Sequence, residues 1–197
     1  MLKVGLTGGI GSGKSVVSRI LVAMGYSVFN SDNAARKIVN ENVHVREALC
    51  AEFGADLYQD GLLNRPKLAK IIFSDSAARE RVNQLIHPVV REAFREFAVS
   101  SQQPLVFNEA AILFETDAAA RMDRMILVTA PEKLRIQRVM QRDGVTEEEV
   151  RLRMKQQWSD AQKIPLADFQ IINDEEQSVL AQVEKVVAEL NAQLTSS

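Results

Sequence analysis

Near the start of the chain the segment GGIGSGKS, Gly8 to Ser15, stands between a short apolar run, KVGLT at 3–7, and SVVSRILVAMG at 15–25, whose apolar residues recur every three or four positions. It fits G-x-x-x-x-G-K-[ST], with Gly8, Gly13, Lys14 and Ser15 in the required places and a strand-turn-helix context around them. Glycines let successive backbone N–H groups turn inward, and the loop feeds the positive end of a helix, so anionic oxygens find donors and a favourable dipole. The candidate nucleotide contacts are therefore Gly9, Gly11, Ser12, Gly13, Lys14, Ser15 and Val16. Lys14 is placed to reach the outer phosphates of ATP, and the Ser15 hydroxyl to ligate Mg2+.

This loop demands a parallel sheet, and the remaining apolar runs supply one. YSVFN (26–30), PLVFN (104–108), RMILV (124–128) and FQIIN (169–173) are each of strand length, and helical patterns follow several of them. The expected fold is α/β, a five-stranded parallel sheet covered on both faces. From Asp32 to about Gln103 the alternation stops and the sequence reads as almost wholly helical, an insertion between two strands. The expected organisation is a nucleotide-binding core at 1–31 and 104–197, with the helical insertion at 32–103. A small helical lid is expected at about 138–158, where Asp143-Gly144 makes a turn and Thr146 to Glu149 reads as a capping box. The polar end Thr195-Ser196-Ser197 reads as frayed.

Composition narrows the function. A formal net charge of -2 argues against a surface that binds nucleic acid by bulk positive charge. Cys50, the only cysteine, allows no internal disulfide, fits a reducing compartment and is expected in the core. The N-terminus lacks the pattern of a signal peptide, and no apolar stretch approaches the roughly 18 residues of a membrane span. A cytoplasmic chain with no membrane, nucleic-acid or obligate protein partner is the expectation.

Asp32 follows the second strand in VFNSDNAAR, where open parallel sheets place their ligands. A carboxylate there can take the proton of an attacking hydroxyl, and it can equally serve as an N-cap for the helix that follows. Arg138 and Arg142 lie four apart on one face of APEKLRIQRVMQR, able to clamp phosphates, while Arg65 lies within the insertion in DGLLNRP. His87 stands in an apolar stretch before Pro88, where a lone histidine is more often a packed residue than a catalyst. Trp158 suits packing better than stacking on adenine.

The ensemble resembles the dephospho-coenzyme A kinase family along almost the whole chain. GLTGGIGSGKS is similar to its nucleotide loop, SDNAAR to its aspartate segment, DGLLNR with LIHP to its acceptor signatures, EAAILFE to the segment after its third strand, QRDGVT to its lid and ADFQIIN to its last strand. The resemblance implies a P-loop kinase core with an acceptor-binding insertion, and transfer of the ATP γ-phosphate to the ribose 3′-hydroxyl of dephospho-coenzyme A. It implies Asp32 as base, Lys14, Arg138 and Arg142 as charge stabilisers, and Arg65 and His87 in the acceptor pocket. Where the family often has an aspartate and a proline, this chain has Glu109 and Ala111, a departure at the position that the resemblance implies binds substrate and, with Ser15, Mg2+ or its waters. Lys163 stands where some relatives carry an arginine, and as a point charge it can still meet a phosphate. Two other readings remain open on the residues alone: a kinase for another small molecule or nucleoside monophosphate, and a nucleotide-dependent regulator without an acceptor. No N-K-x-D motif of a switch GTPase is present.

Overall fold

A computed structural model describes residues 1–195; Ser196 and Ser197 of the expected frayed end lie outside the described residues. In chain order the elements are β1 (Leu2–Thr7), α1 (Lys14–Ala23), β2 (Ser27–Asn30), α2 (Ser31–Glu41), α3 (Val43–Phe53), β3 (Tyr58–Gln59), β4 (Leu62–Leu63), α4 (Arg65–Ser74) and α5 (Ser76–Ser101). There follow β5 (Leu105–Glu109), β6 (Arg124–Thr129), α6 (Glu132–Asp143), α7 (Glu147–Met154), α8 (Asp160–Lys163), β7 (Phe169–Ile172) and α9 (Val179–Thr195). Thr195, expected to fray, closes the last helical turn with its hydroxyl donating to the Ala192 carbonyl.

The chain divides into two compact units, one formed by Met1–Asn30 with the residues from Ser100 onward, the other by Ser31–Val99. The first contains the five-stranded sheet, in the order β2-β5-β1-β6-β7 with every pairing parallel. The three inner strands are apolar with little alternation because both faces are covered, and β5 is buried at all five positions. On one face Val17 and Leu21 of α1 and Val183, Val187 and Leu190 of α9 pack against Val4, Leu6, Phe107, Ile126 and Ile171. On the other, Met125 and Leu127 pack with Leu113 and Phe114. β1 lies at the centre, so the loop after it opens at the carboxyl end of the sheet between two neighbours reached by separate crossovers.

Helices α6 and α7 form a hairpin with a small core of Ile136, Val139 and Val150. Gly144 closes α6 in a left-handed conformation, and the expected capping box forms, with Glu149 N–H donating to Thr146 Oγ1 and Thr146 N–H to Glu149 Oε2. The second unit is helical apart from a feature the sequence reading missed, the antiparallel hairpin β3-β4. Asp60 and Gly61 both take positive φ, 50° and 81°, the conformation of a two-residue hairpin turn whose twist matches its strands. The unit has its own core, Val39, Val45, Leu49, Leu57, Leu68 and Val82. Cys50 is half-buried on α3, a correction to its expected place in the core.

Leu49 is fully buried at the centre of that second core. Leu49→Ala should destabilise the protein by about 2–5 kcal/mol through lost transfer energy and a residual cavity, measured by urea unfolding followed by circular dichroism.

Candidate active site

The loop from Gly8 to Gly13 is shaped by carbonyls that are all turned to protein donors except one. Gly8 O accepts from Lys14 Nζ at 2.7 Å, Gly9 O from Ser12 N–H at 3.1 Å, Ile10 O from Arg135 Nε at 3.0 Å, Ser12 O from Asn173 Nδ2 at 2.9 Å and Gly13 O from Val16 N–H at 2.9 Å. The N–H groups of Gly11 and Gly13 meet no protein acceptor among the described residues. A turn with most of its carbonyls held by protein and the Gly11 and Gly13 amides unengaged, at the N-terminus of α1, is built to receive anionic oxygens. Ser12 Oγ is also buried without a hydrogen-bond partner among the described residues. The loop thus fits the phosphates of ATP.

Two glycines are required by geometry. Gly13 has φ 94°, and a Cβ there would run into the Asn173 amide. Gly11 has φ 79°, and its Cβ would stand 2.5 Å from the Arg135 carbonyl oxygen. Both combine a left-handed backbone with an approach no side chain permits.

Glu109, at the carboxyl end of β5, is buried and accepts hydrogen bonds from Ser18 Oγ at 2.7 Å and Asn30 Nδ2 at 3.0 Å. Both donors are neutral side chains, and the carboxyl lies beside the helix that carries Ser15. A divalent cation or its waters fits that donor set.

The arginines divide differently from expectation. Arg138 donates from NH1 to the Asn173 carbonyl at 3.2 Å and from NH2 to Asn173 Oδ1 at 3.3 Å and Glu175 at 3.1 Å, so it reaches the strand end that also binds Ser12. Arg142, at the far end of α6, is exposed and forked onto Asp143 at 2.7 and 3.0 Å. Its hydrogen bond holds the Asp143 carboxyl below the usual range, with Arg153 adding to the effect. The structure therefore brings Arg138 to the loop's neighbourhood and occupies Arg142 elsewhere. Lys163 is fully buried, its ammonium 2.6 Å from Glu115 Oε1, a correction to the expectation that it faces substrate. Trp158 is 42% exposed, which corrects its reading as a packed residue, and its N–H donates to the same Glu115 oxygen at 3.0 Å.

In the second unit Asp32 is the second residue of α2, inside the first turn, where its charge meets the positive helix end without occupying the cap position. Arg65 opens α4 and is exposed, and His87 is half-buried on α5 before Pro88. Sequence reasoning missed Arg135, Asn173 and Gln157. For the first a signal existed: Arg135, Arg138 and Arg142 form one stripe at spacings of three and four on α6.

A parallel five-stranded sheet with this loop after its central strand defines a P-loop kinase. A shikimate kinase from Acinetobacter baumannii shares the fold, with a TM-score of 0.52 over 98% of this chain and 94% of that one at 13% identity. The family model described as Dephospho-CoA kinase matches residues 2–178, and the chain belongs to that family. A dephospho-CoA kinase from Porphyromonas gingivalis is 40% identical over 188 residues, 95% of this chain and 93% of its relative. A crystal structure from Thermus thermophilus superposes with a TM-score of 0.85 at 33% identity, covering 96% and 97% of the two chains.

Because Gly13 is fixed by both φ and contact, Gly13→Ala should abolish measurable ADP binding by titration calorimetry while leaving the far-ultraviolet circular dichroism of the fold in place. A second expectation concerns the hairpin. The folded Asp143 carboxyl lies below its unfolded value, so its pairing stabilises at neutral pH and that stabilisation is lost as pH falls through the lowered folded value. Thermal unfolding at about pH 7 and about pH 3 should show a smaller acid-induced loss of Tm for Asp143→Asn than for the natural chain.

Proposed function

We infer that this chain transfers the γ-phosphate of ATP to the ribose 3′-hydroxyl of dephospho-coenzyme A, giving coenzyme A and ADP, the last step of coenzyme A formation. The observation that carries the reading is the intact loop, with Gly8, Gly13, Lys14 and Ser15 at the carboxyl end of the central strand, in a chain that matches its family over residues 2–178.

In this reading the acceptor oxygen attacks the γ-phosphorus, the new O–P bond forms as the bond to the bridging β-γ oxygen breaks, and ADP leaves with that electron pair. Asp32 takes the proton of the 3′-hydroxyl. The Gly11 and Gly13 amides bind phosphate oxygens, and Lys14 exchanges the Gly8 carbonyl for the charge developing on the transferred group. Arg138 adds a second positive charge; Arg142 contributes only by exchanging Asp143 for phosphate. Ser15 and Glu109 would hold Mg2+ or its waters, which when bound would supply charge neutralisation at the phosphates. Arg65 and His87 serve the acceptor, within a helical acceptor-binding insertion at 32–103 set into a core at 1–31 and 104–197, with a lid at about 138–158. No helix among the described residues is long and apolar enough to cross a membrane, and with a single cysteine the cytoplasm is the proposed place of work.

The test is a coupled assay that offers ATP with dephospho-coenzyme A, with nucleoside monophosphates, or with no acceptor. ADP formation should require dephospho-coenzyme A, and equal or faster turnover with a nucleoside monophosphate overturns the reading. Asp32→Asn keeps shape and removes basicity, so kcat should fall by roughly 10²-fold or more while ADP affinity holds. A fall in Tm with unchanged turnover per folded molecule would assign Asp32 to the helix alone.

A further inference from the structure

Ile10 is the one bulky residue among the glycines of the loop, and it is gripped at three points. Its side chain packs against the α6–α7 core of Ile136, Val139 and Val150. Its carbonyl accepts from Arg135 Nε, and its N–H donates to Gln157 Oε1 at 2.8 Å. These two hydrogen bonds fix consecutive peptide planes, Gly9–Ile10 and Ile10–Gly11. Both lie next to glycines whose backbones would otherwise rotate freely; the Ile10–Gly11 plane carries the Gly11 amide, and the Gly9–Ile10 plane fixes the backbone from which it continues, so together they keep that amide turned toward an anion.

Each grip is itself held. Arg135 is buried, its NH1 pairs with Asp160 at 3.2 Å, and its guanidinium fills the space that side chains at Gly9 would need. Gln157 follows α7 in a turn closed by its N–H on the Met154 carbonyl, and the next residue, Trp158, is tied by its N–H to Glu115. Glu115 also pairs with the buried Lys163. The segment 157–163 therefore forms a strut beneath the loop, sending Gln157 directly to Ile10 and Asp160 to it through Arg135.

We propose that Gln157 is a positioning residue for phosphoryl transfer: by accepting the Ile10 N–H it sets the loop in its phosphate-binding conformation and ties the C-terminal end of the α6–α7 hairpin to the nucleotide site. It touches no phosphate in this scheme, because the amide it occupies is the one whose carbonyl neighbour faces Arg135 and the hairpin. The proposal rests on the kinase reading only for the donor nucleotide and is independent of the acceptor.

The experiment is titration of Mg·ADP, and separately of adenosine, into the full chain and into Gln157→Met, which keeps length and removes a strong acceptor. One lost hydrogen bond that orders the loop should weaken ADP by about three- to tenfold and leave adenosine unchanged, with Tm close to that of the natural chain. Amide exchange read by nitrogen-15 spectra should show Ile10 exchanging faster in Gln157→Met and protected again in Gln157→Glu, which restores an oxygen acceptor. If Gln157→Met does not fold, the exchange of Ile10 in Gln157→Glu set beside Gln157→Lys decides the same question. Unchanged ADP affinity, equal losses for ADP and adenosine, or Ile10 protection indifferent to the acceptor at position 157 overturns the proposal. Because ADP binding is read directly, failure of the acceptor assay and failure of this inference are separate results.

Discussion

Backbone amides can bind a polyphosphate only if nothing stands between them and its oxygens, and only if the carbonyls of the same peptides have somewhere else to go. That second demand organises this protein. Five carbonyls in the loop are satisfied by a lysine, one amide of the loop, one amide of α1, an arginine from α6 and an asparagine after β7. These partners come from the loop itself, the start of α1, α6 and the residue after β7, so the loop conformation depends on β7, α6 and α1 being correctly assembled. The sheet order supplies that assembly, since β1 at the centre receives neighbours from both sides.

The same demand explains why the loop is poor in side chains. Where it lies against α6 the limit is Arg135, whose backbone and guanidinium occupy the volumes beside Gly11 and Gly9; where it lies against β7 the limit is the Asn173 amide beside Gly13. The glycines thus answer to tertiary neighbours as well as to their own torsions. The exception, Ile10, points into an apolar core and gives the loop an anchor that glycine could not.

Much of this was readable from residue order. The inner strands announced themselves because burial on both faces leaves short continuous apolar runs, as in MILV at 125–128, and the capping box at Thr146 is a local pattern whose partners lie three residues apart. The β3-β4 hairpin was not readable as strand because two-residue strands carry no period, although Asp60-Gly61 held the turn signal. Lys163 misled for a related reason: a lysine is exposed by default, and only its tertiary partner Glu115, 48 positions earlier in sequence, explains its burial. Arg142 was paired with Arg138 by helical spacing, yet α6 carries them to different surroundings along its length, one at Asn173 and the other at Asp143. Gln157 offered no signal at all, since its acceptor role depends on an amide 147 positions away.

The Glu115–Lys163 pair has a consequence for how this chain can change over generations. Both ends are shielded from water, so replacing either one alone strands the opposite charge in a medium that cannot solvate it, whereas exchanging both together for matched apolar residues removes the difficulty. A lineage that alters this strut must therefore cross a poorly folding intermediate or acquire two changes nearly at once. Lysine to arginine is one single step that avoids this, because it carries the positive charge through unbroken.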